Sequence, residues 1–168
     1  NADADTFRDN FASLTLGDAA VAAVLRRRDP SRKQHLLNGA VVRTATEHNQ
    51  LCLGSEHQMI SNAHGLLVHG VGLAVETWPY AAREMGWATP TQIDQFICHQ
   101  VSVAHFTQSF EQMGFPLDRA PLTLPYLGNC GPVSTPITLA LAVAQGRVKP
   151  GHELCLFGVG SGLSCIIM

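Results

Sequence analysis

The chain has 168 residues, 46% of them hydrophobic and only 14% charged, with a net charge of −2. That length fits one domain, and the charge falls well below the roughly 25% usual in globular proteins. No run supplies the ~20 uninterrupted apolar residues of a membrane-spanning helix, and no basic stripe supports nucleic-acid binding. The only basic cluster, Arg26-Arg27-Arg28, reads as a solvated strand end. So apolar a chain has too few charges to cover its own surface, which implies a large permanent interface and association when the chain is alone. Five cysteines without CxxC spacing, three of them inside apolar runs, read as buried free thiols in a reducing, cytoplasmic setting. The polar start, Asn1 to Asp5, lacks a Met and reads as a loop end after a cleavage or a gap. No signal peptide is visible.

Phe7, Phe11 and Leu14 recur at helical spacing and predict a short helix over 7–14. The small-residue and valine run from Asp18 to Leu25 predicts a buried strand. Leu36 to Thr46 predicts the next strand, and Glu47 to Ser61, without periodicity, a long functional loop. Leu67, Val71, Val75 and Trp78 form an i, i+4, i+8, i+11 stripe on a helix from His64 to Met85, bent or restarted at Pro79. Ile93 to Cys98 reads as a strand buried on both faces. Val103 to Met113 follows as a helix stopped by Gly114. A short strand at Leu122–Leu124, a helix from Ser134 to Gln145 before Gly146, and strands at Glu153–Val159 and Ser164–Met168 complete the order. Strands alternating with helices predict an α/β layered fold. Trp78, Trp87, Phe106 and Phe110 read first as core, as apolar helix stripes do.

Two segments carry chemistry. His99 ends the strand Gln95-Phe96-Ile97-Cys98, at the type of β-to-α junction where functional side chains sit. Asn129 stands in the glycine turn Tyr126-Leu127-Gly128-Asn129-Cys130-Gly131-Pro132. A His and an Asn that converge can donate two hydrogen bonds to a developing oxyanion or enolate. Neutral histidine suits that role better than imidazolium. Asn129 also has a plain reading as a turn residue. The third segment, Gly158-Val159-Gly160-Ser161-Gly162-Leu163, reads equally as a tight link between two strands and as close backbone approach to a substrate. Cys98 precedes His99 in an extended strand, so the two side chains point to opposite faces. Cys98 and Cys130 both read as structural. No metal-ligand cluster stands near these residues.

These three segments resemble, in this order, the C-terminal half of the thiolase-like condensing enzymes. The pattern is similar to ketoacyl synthase III, and nearer still to the acyl-CoA condensing thiolases of long-chain olefin biosynthesis. Leu14 to Ala20, Arg43 to Asn49 and Gly146 to Gly151 extend the likeness over nearly the whole chain. The resemblance implies a thiolase-like mixed sheet covered by helices, with residues 1–34 as the end of an N-terminal half and 35–168 as the C-terminal half-domain. It implies His99 and Asn129 as catalytic residues acting on a thioester carbonyl, with Ser102, Gly160, Ser161 and Gly162 at the substrate. It also implies no cofactor, a coenzyme A thioester as substrate, and a dimer of completed assemblies.

The family's nucleophilic Cys and its carboxylate base lie in an N-terminal half that nothing here matches, so a second polypeptide or segment must supply them. Ketoacyl synthase III tends to place Asn and Arg where this chain has Ser102 and Ala104, which puts carrier-protein specificity in doubt. The reaction implied is Claisen condensation of two acyl thioesters without decarboxylation, giving a β-keto acid or thioester. The alternatives are a decarboxylative condensation with malonyl thioester, acyl transfer to oxygen or nitrogen, and a non-catalytic partner subunit. Retention of both His99 and Asn129 argues against the last.

Overall fold

A computed structural model describes residues 3, 7, 10, 13–31, 35–56 and 59–168. Its main sheet has four strands: β1 (Val41–Thr44), β4 (Gln95–Cys98), β5 (Leu154–Gly160) and β6 (Ser164–Ile167), in the order β1-β6-β5-β4. β4 runs parallel to β5, while β5–β6 and β6–β1 are antiparallel. β2 (Cys52–Gly54) and β3 (Met59–Ser61) form a separate antiparallel pair. The helices are α1 (Ala63–Met85), α2 (Val103–Met113), the single turn α3 (Leu124–Leu127) and α4 (Ser134–Ala144).

β5 alternates half-buried and buried residues, so its two faces enter different cores. Cys155, Phe157 and Val159 join Phe96, Phe106, Phe110 and Phe115 in the main core beneath α1 and α2. On the other face Leu154 and Leu156 meet Ile97, Leu139 and Ala142 beneath α4. Trp87, Phe106 and Phe110 are buried in the first core with Trp78 packed against it, and Phe96 stacks on Phe115 at 4.4 Å. The aromatics are therefore core.

Chain chemistry fixes the helix ends. Asn62 caps α1 by accepting the Gly65 N–H at 2.8 Å, satisfying a donor the first turn leaves open. Gly86 and Gly114 close α1 and α2 at φ 72° and 67°, the left-handed conformation a C-cap needs. α1 continues through Pro79. Its buried positions are Val71 of the predicted stripe together with Gly65, Gly70, Leu73, Ala74, Thr77 and Ala81. The helix packs on β1 and β6, and Val75 and Trp78 are partly buried against the same core.

Three expectations need correction. Asp18–Leu25 is no buried strand: Val24 and Leu25 are 92% and 84% exposed, and the segment pairs with no strand among the described residues. Apolar character alone does not make a strand; it needs neighbours at its edges, and Leu36 and Leu37 are likewise exposed. Glu47–Ser61 is not an open loop but a 3₁₀ turn, Thr46–Leu51, followed by β2 and β3. Leu122–Leu124 is not a strand, because the Gln100 side chain takes the N–H groups of Thr123 and Leu124 that a ladder would use. Of the predicted first helix, residues 7, 10 and 13–15 are helical, and Phe11 lies outside the described residues.

Candidate active site

β4 delivers His99. The ladder continues one residue beyond the strand, with the His99 N–H donating to the Phe157 carbonyl at 2.8 Å. Because β4 and β5 are parallel, their C-terminal ends share one edge of the sheet. His99 and the Gly160–Gly162 tip therefore face the same side of the molecule, the usual place for a site in an α/β sheet. Gly158 lies beside His99: a Cβ built on it falls 3.8 Å from His99 Cβ.

Asn129 is held by a different device. Residues 15–17 run alongside the 126–132 turn, with the Asn129 N–H donating to Thr15 O at 2.7 Å and the Gly17 N–H to Asn129 O at 3.0 Å. Both glycines at this crossing are required by space. A Cβ on Gly17 would sit 1.8 Å from Leu127 O, and one on Gly128, whose φ is +70°, would sit 3.0 Å from Thr15 O. Two of the sequence segments singled out above, Leu14–Ala20 and Tyr126–Pro132, thus lock together.

Gly131 orients the Asn129 amide. Its N–H donates to Asn129 Oδ1 at 3.0 Å, which fixes the amide's orientation and leaves the Asn129 NH₂ group to act as donor. The Gly131 backbone also lies near the His99 imidazole, where it favours the protonated ring. Gly131 therefore stands near both side chains. His99 Nδ1 is buried without a hydrogen-bond partner among the described residues. Burial holds the His99 pKa down to about 4, helped by the neighbouring His105 and opposed by the Gly131 carbonyl. His99 is therefore neutral at pH 7. Its folded pKa lies below the ordinary ~6.5 of the unfolded chain, so the unfolded state binds the extra proton. Stability is full above about 6.5 and falls as pH drops toward about 4.

Of the other expected residues, Ser102 is the N-cap of α2, its Oγ accepting the His105 N–H at 3.1 Å. That leaves its O–H free to donate. Gly160 pairs with Ser164 as the last residue of β5, Ser161 is exposed, and the turn docks on Ala45 through the bond from Ala45 N–H to Leu163 O, 2.8 Å. Cys98 lies in the main core and burial drives its thiol far above the usual range. Cys130 is buried with its Sγ turned to Leu127 O at 3.3 Å. Neither thiol is placed as a nucleophile. Among the described residues no group of three His, Cys, Asp or Glu side chains can hold a metal ion, and no helix is long and apolar enough to cross a membrane.

Two residues escaped the sequence reading. His105, buried against Gly70, looked like one more polar residue on an amphipathic helix. Gln100 is 1% exposed, and its only signal was a lone amide directly after a buried strand.

This mixed sheet between helices has the architecture of the C-terminal part of a thiolase-like fold. Residues 84–168 match the family of 3-oxoacyl-[acyl-carrier-protein] synthase III C-terminal domains, and the chain belongs to that family. It is 37% identical over 161 residues to an acyl-CoA:acyl-CoA alkyltransferase of Xanthomonas campestris pv. campestris, covering 96% of this chain and 47% of the relative. A protein of the same name from Shewanella oneidensis is 34% identical over 174 residues, covering 96% and 50%. A solved structure of an OleA variant from Xanthomonas campestris matches 99% of this chain and 49% of its own, with TM-score 0.81 and 31% identity. The 3-oxoacyl-(acyl carrier protein) synthase III, FabH, of Xanthomonas oryzae pv. oryzae matches 77% and 38%, with TM-score 0.73 and 38% identity. The chain spans about half the length of these relatives.

Proposed function

We propose that this chain is the C-terminal half of an acyl-CoA condensing enzyme and that His99 and Asn129 are its oxyanion donors. The observation that carries the reading is the setting of Gly131: its N–H fixes the Asn129 amide so that the NH₂ group is left to donate, and its backbone lies near the buried, neutral His99 imidazole. Residues 1–34 would close the N-terminal half, and the exposed Val24, Leu25 and Leu37 are where that half would dock. The other half contributes the nucleophilic Cys and a carboxylate base. Such assemblies would pair as dimers in the cytoplasm, a reading supported by free cysteines that suit a reducing compartment.

The chemistry balances without a cofactor. The Cys thiolate of the other half attacks a first acyl-CoA, forming an acyl-Cys thioester and releasing CoA. The second acyl-CoA then places its thioester oxygen between His99 Nε2–H and the Asn129 NH₂ group. As the carboxylate removes the α-proton, these donors hold the enolate oxygen. The enolate carbon attacks the acyl-Cys carbonyl, the new carbon–carbon bond forms and the carbon–sulfur bond to Cys breaks. A β-ketoacyl-CoA leaves, or its acid after hydrolysis. Ser102 O–H and the Gly160-Ser161-Gly162 tip stand on the same edge of the sheet, where they would border the substrate's thioester arm.

The test is a mass spectrum of the assembled enzyme after exposure to a long-chain acyl-CoA. The acyl mass is expected on a cysteine of the completing half and on none of the five in this chain. An acylated Cys98 or Cys130, or the absence of any acyl adduct, would contradict the proposal.

A further inference from the structure

Gln100 makes four hydrogen bonds from a side chain that is almost wholly enclosed. Its Nε2 donates to Pro121 O at 2.8 Å. Its Oε1 accepts the N–H of Thr123 at 2.8 Å and of Leu124 at 2.9 Å, with the Thr123 hydroxyl at 3.4 Å. The backbone partners dictate which end of the amide is which. The Thr123 and Thr138 hydroxyls are 2.8 Å apart, which carries the network into α4. Gln100 follows His99 directly, while residues 121–124 open the turn that presents Asn129. Hydrogen bonds in so enclosed a place are costly to leave unmade and hold their partners rigidly.

We infer that Gln100 is a positioning residue: it clamps the end of β4 to the 121–124 segment and so sets the separation of His99 and Asn129. The inference rests on the reaction proposed above. It assigns Gln100 no contact with substrate. Its effect falls on the condensation step, which needs both donors, and not on acyl loading of the other half's Cys.

Two variants of the assembled enzyme test this. Gln100→Leu removes every bond of the clamp. Displacements of about 1 Å near a reacting centre cost on the order of 100-fold, so its kcat for condensation should fall roughly 10- to 100-fold, with acyl loading and KM within about twofold of wild type. Gln100→Glu keeps the acceptor but turns the second oxygen, when ionised, against the Pro121 carbonyl. Burial raises such a carboxyl's pKa, and once protonated it donates to Pro121 as Gln100 does. Its condensation rate, relative to wild type, should therefore climb as pH falls from about 8 to about 6, and this profile decides the matter if Gln100→Leu does not assemble. Loading and condensation falling in parallel, an unimpaired Gln100→Leu, or a Gln100→Glu ratio independent of pH would each overturn the inference. If wild type itself forms no carbon–carbon bond, the reaction reading fails. The clamp is then read from the His99 imidazole resonances, which Gln100→Leu should shift and which, if unmoved, overturn it.

Discussion

His99→Ala and Asn129→Ala are each expected to lower carbon–carbon bond formation by roughly 100- to 1000-fold, the usual cost of one lost oxyanion donor. On the proposed reaction acyl loading should stay measurable, because the attacking Cys would belong to the other half and its acylation would precede the enolate. The Asn129 turn offers a sharper version. Asn129→Asp can still accept the Gly131 N–H through Oδ1, so the turn is kept, but the donor NH₂ becomes an acceptor. It should therefore lose condensation as fully as Asn129→Ala while melting near wild type. The double variant His99→Ala/Asn129→Ala should cost little more than the worse single one, since groups acting as a unit are not additive. Single-turnover assays that separate loading from condensation make the measurement. Near wild-type condensation by Asn129→Asp would leave Asn129 as a turn residue only.

Gly17→Ala is expected to be the most disruptive single methyl in the described chain. The new Cβ would stand 1.8 Å from Leu127 O, with Cys130 Sγ 3.2 Å away. A backbone oxygen cannot swing aside as a side chain can, so the 15–17 segment must separate from the Asn129 turn. That strains the two backbone bonds at Thr15 and Gly17 that hold Asn129. Overpacking of this kind costs about 3 kcal/mol, and condensation should fall with it as Asn129 moves. Gly72→Ala is the control. Its Cβ meets nothing within 4 Å, and replacing a mid-helix glycine should raise stability by roughly 0.5–1 kcal/mol. Denaturant unfolding of the two assembled variants compares them. Equal midpoints would show that the crossing of residues 15–17 over the turn does not hold the site.

The second half of the fold was legible because its segments carry their own punctuation. Gly114 and Gly146 stop α2 and α4, and the unbroken apolar run before His99 needs burial on both faces, which β4 receives as an edge strand between two helical layers. Asp18–Leu25 looked the same by composition yet is exposed, because a strand depends on edges contributed by other residues. The 121–124 segment was misread for the opposite reason. Its backbone donors are taken by one amide, Gln100, that stands over twenty residues earlier. No local pattern reveals such a bond. His99 and Asn129 could be singled out by residue type and setting. What holds Asn129 in place, the Gly131 N–H on its amide and Gly17 beneath the turn, came only from three-dimensional contact.

The decisive measurement gives the assembled enzyme a long-chain acyl-CoA with and without malonyl thioester, following free CoA and the carbon skeleton of the product. With acyl-CoA alone, the account predicts CoA release together with a β-keto product built from two acyl chains. A strict need for malonyl thioester would replace the proposed proton abstraction with decarboxylation while keeping the roles of His99 and Asn129. CoA release by hydrolysis or by acyl transfer to an alcohol, with no new carbon–carbon bond, would contradict the account.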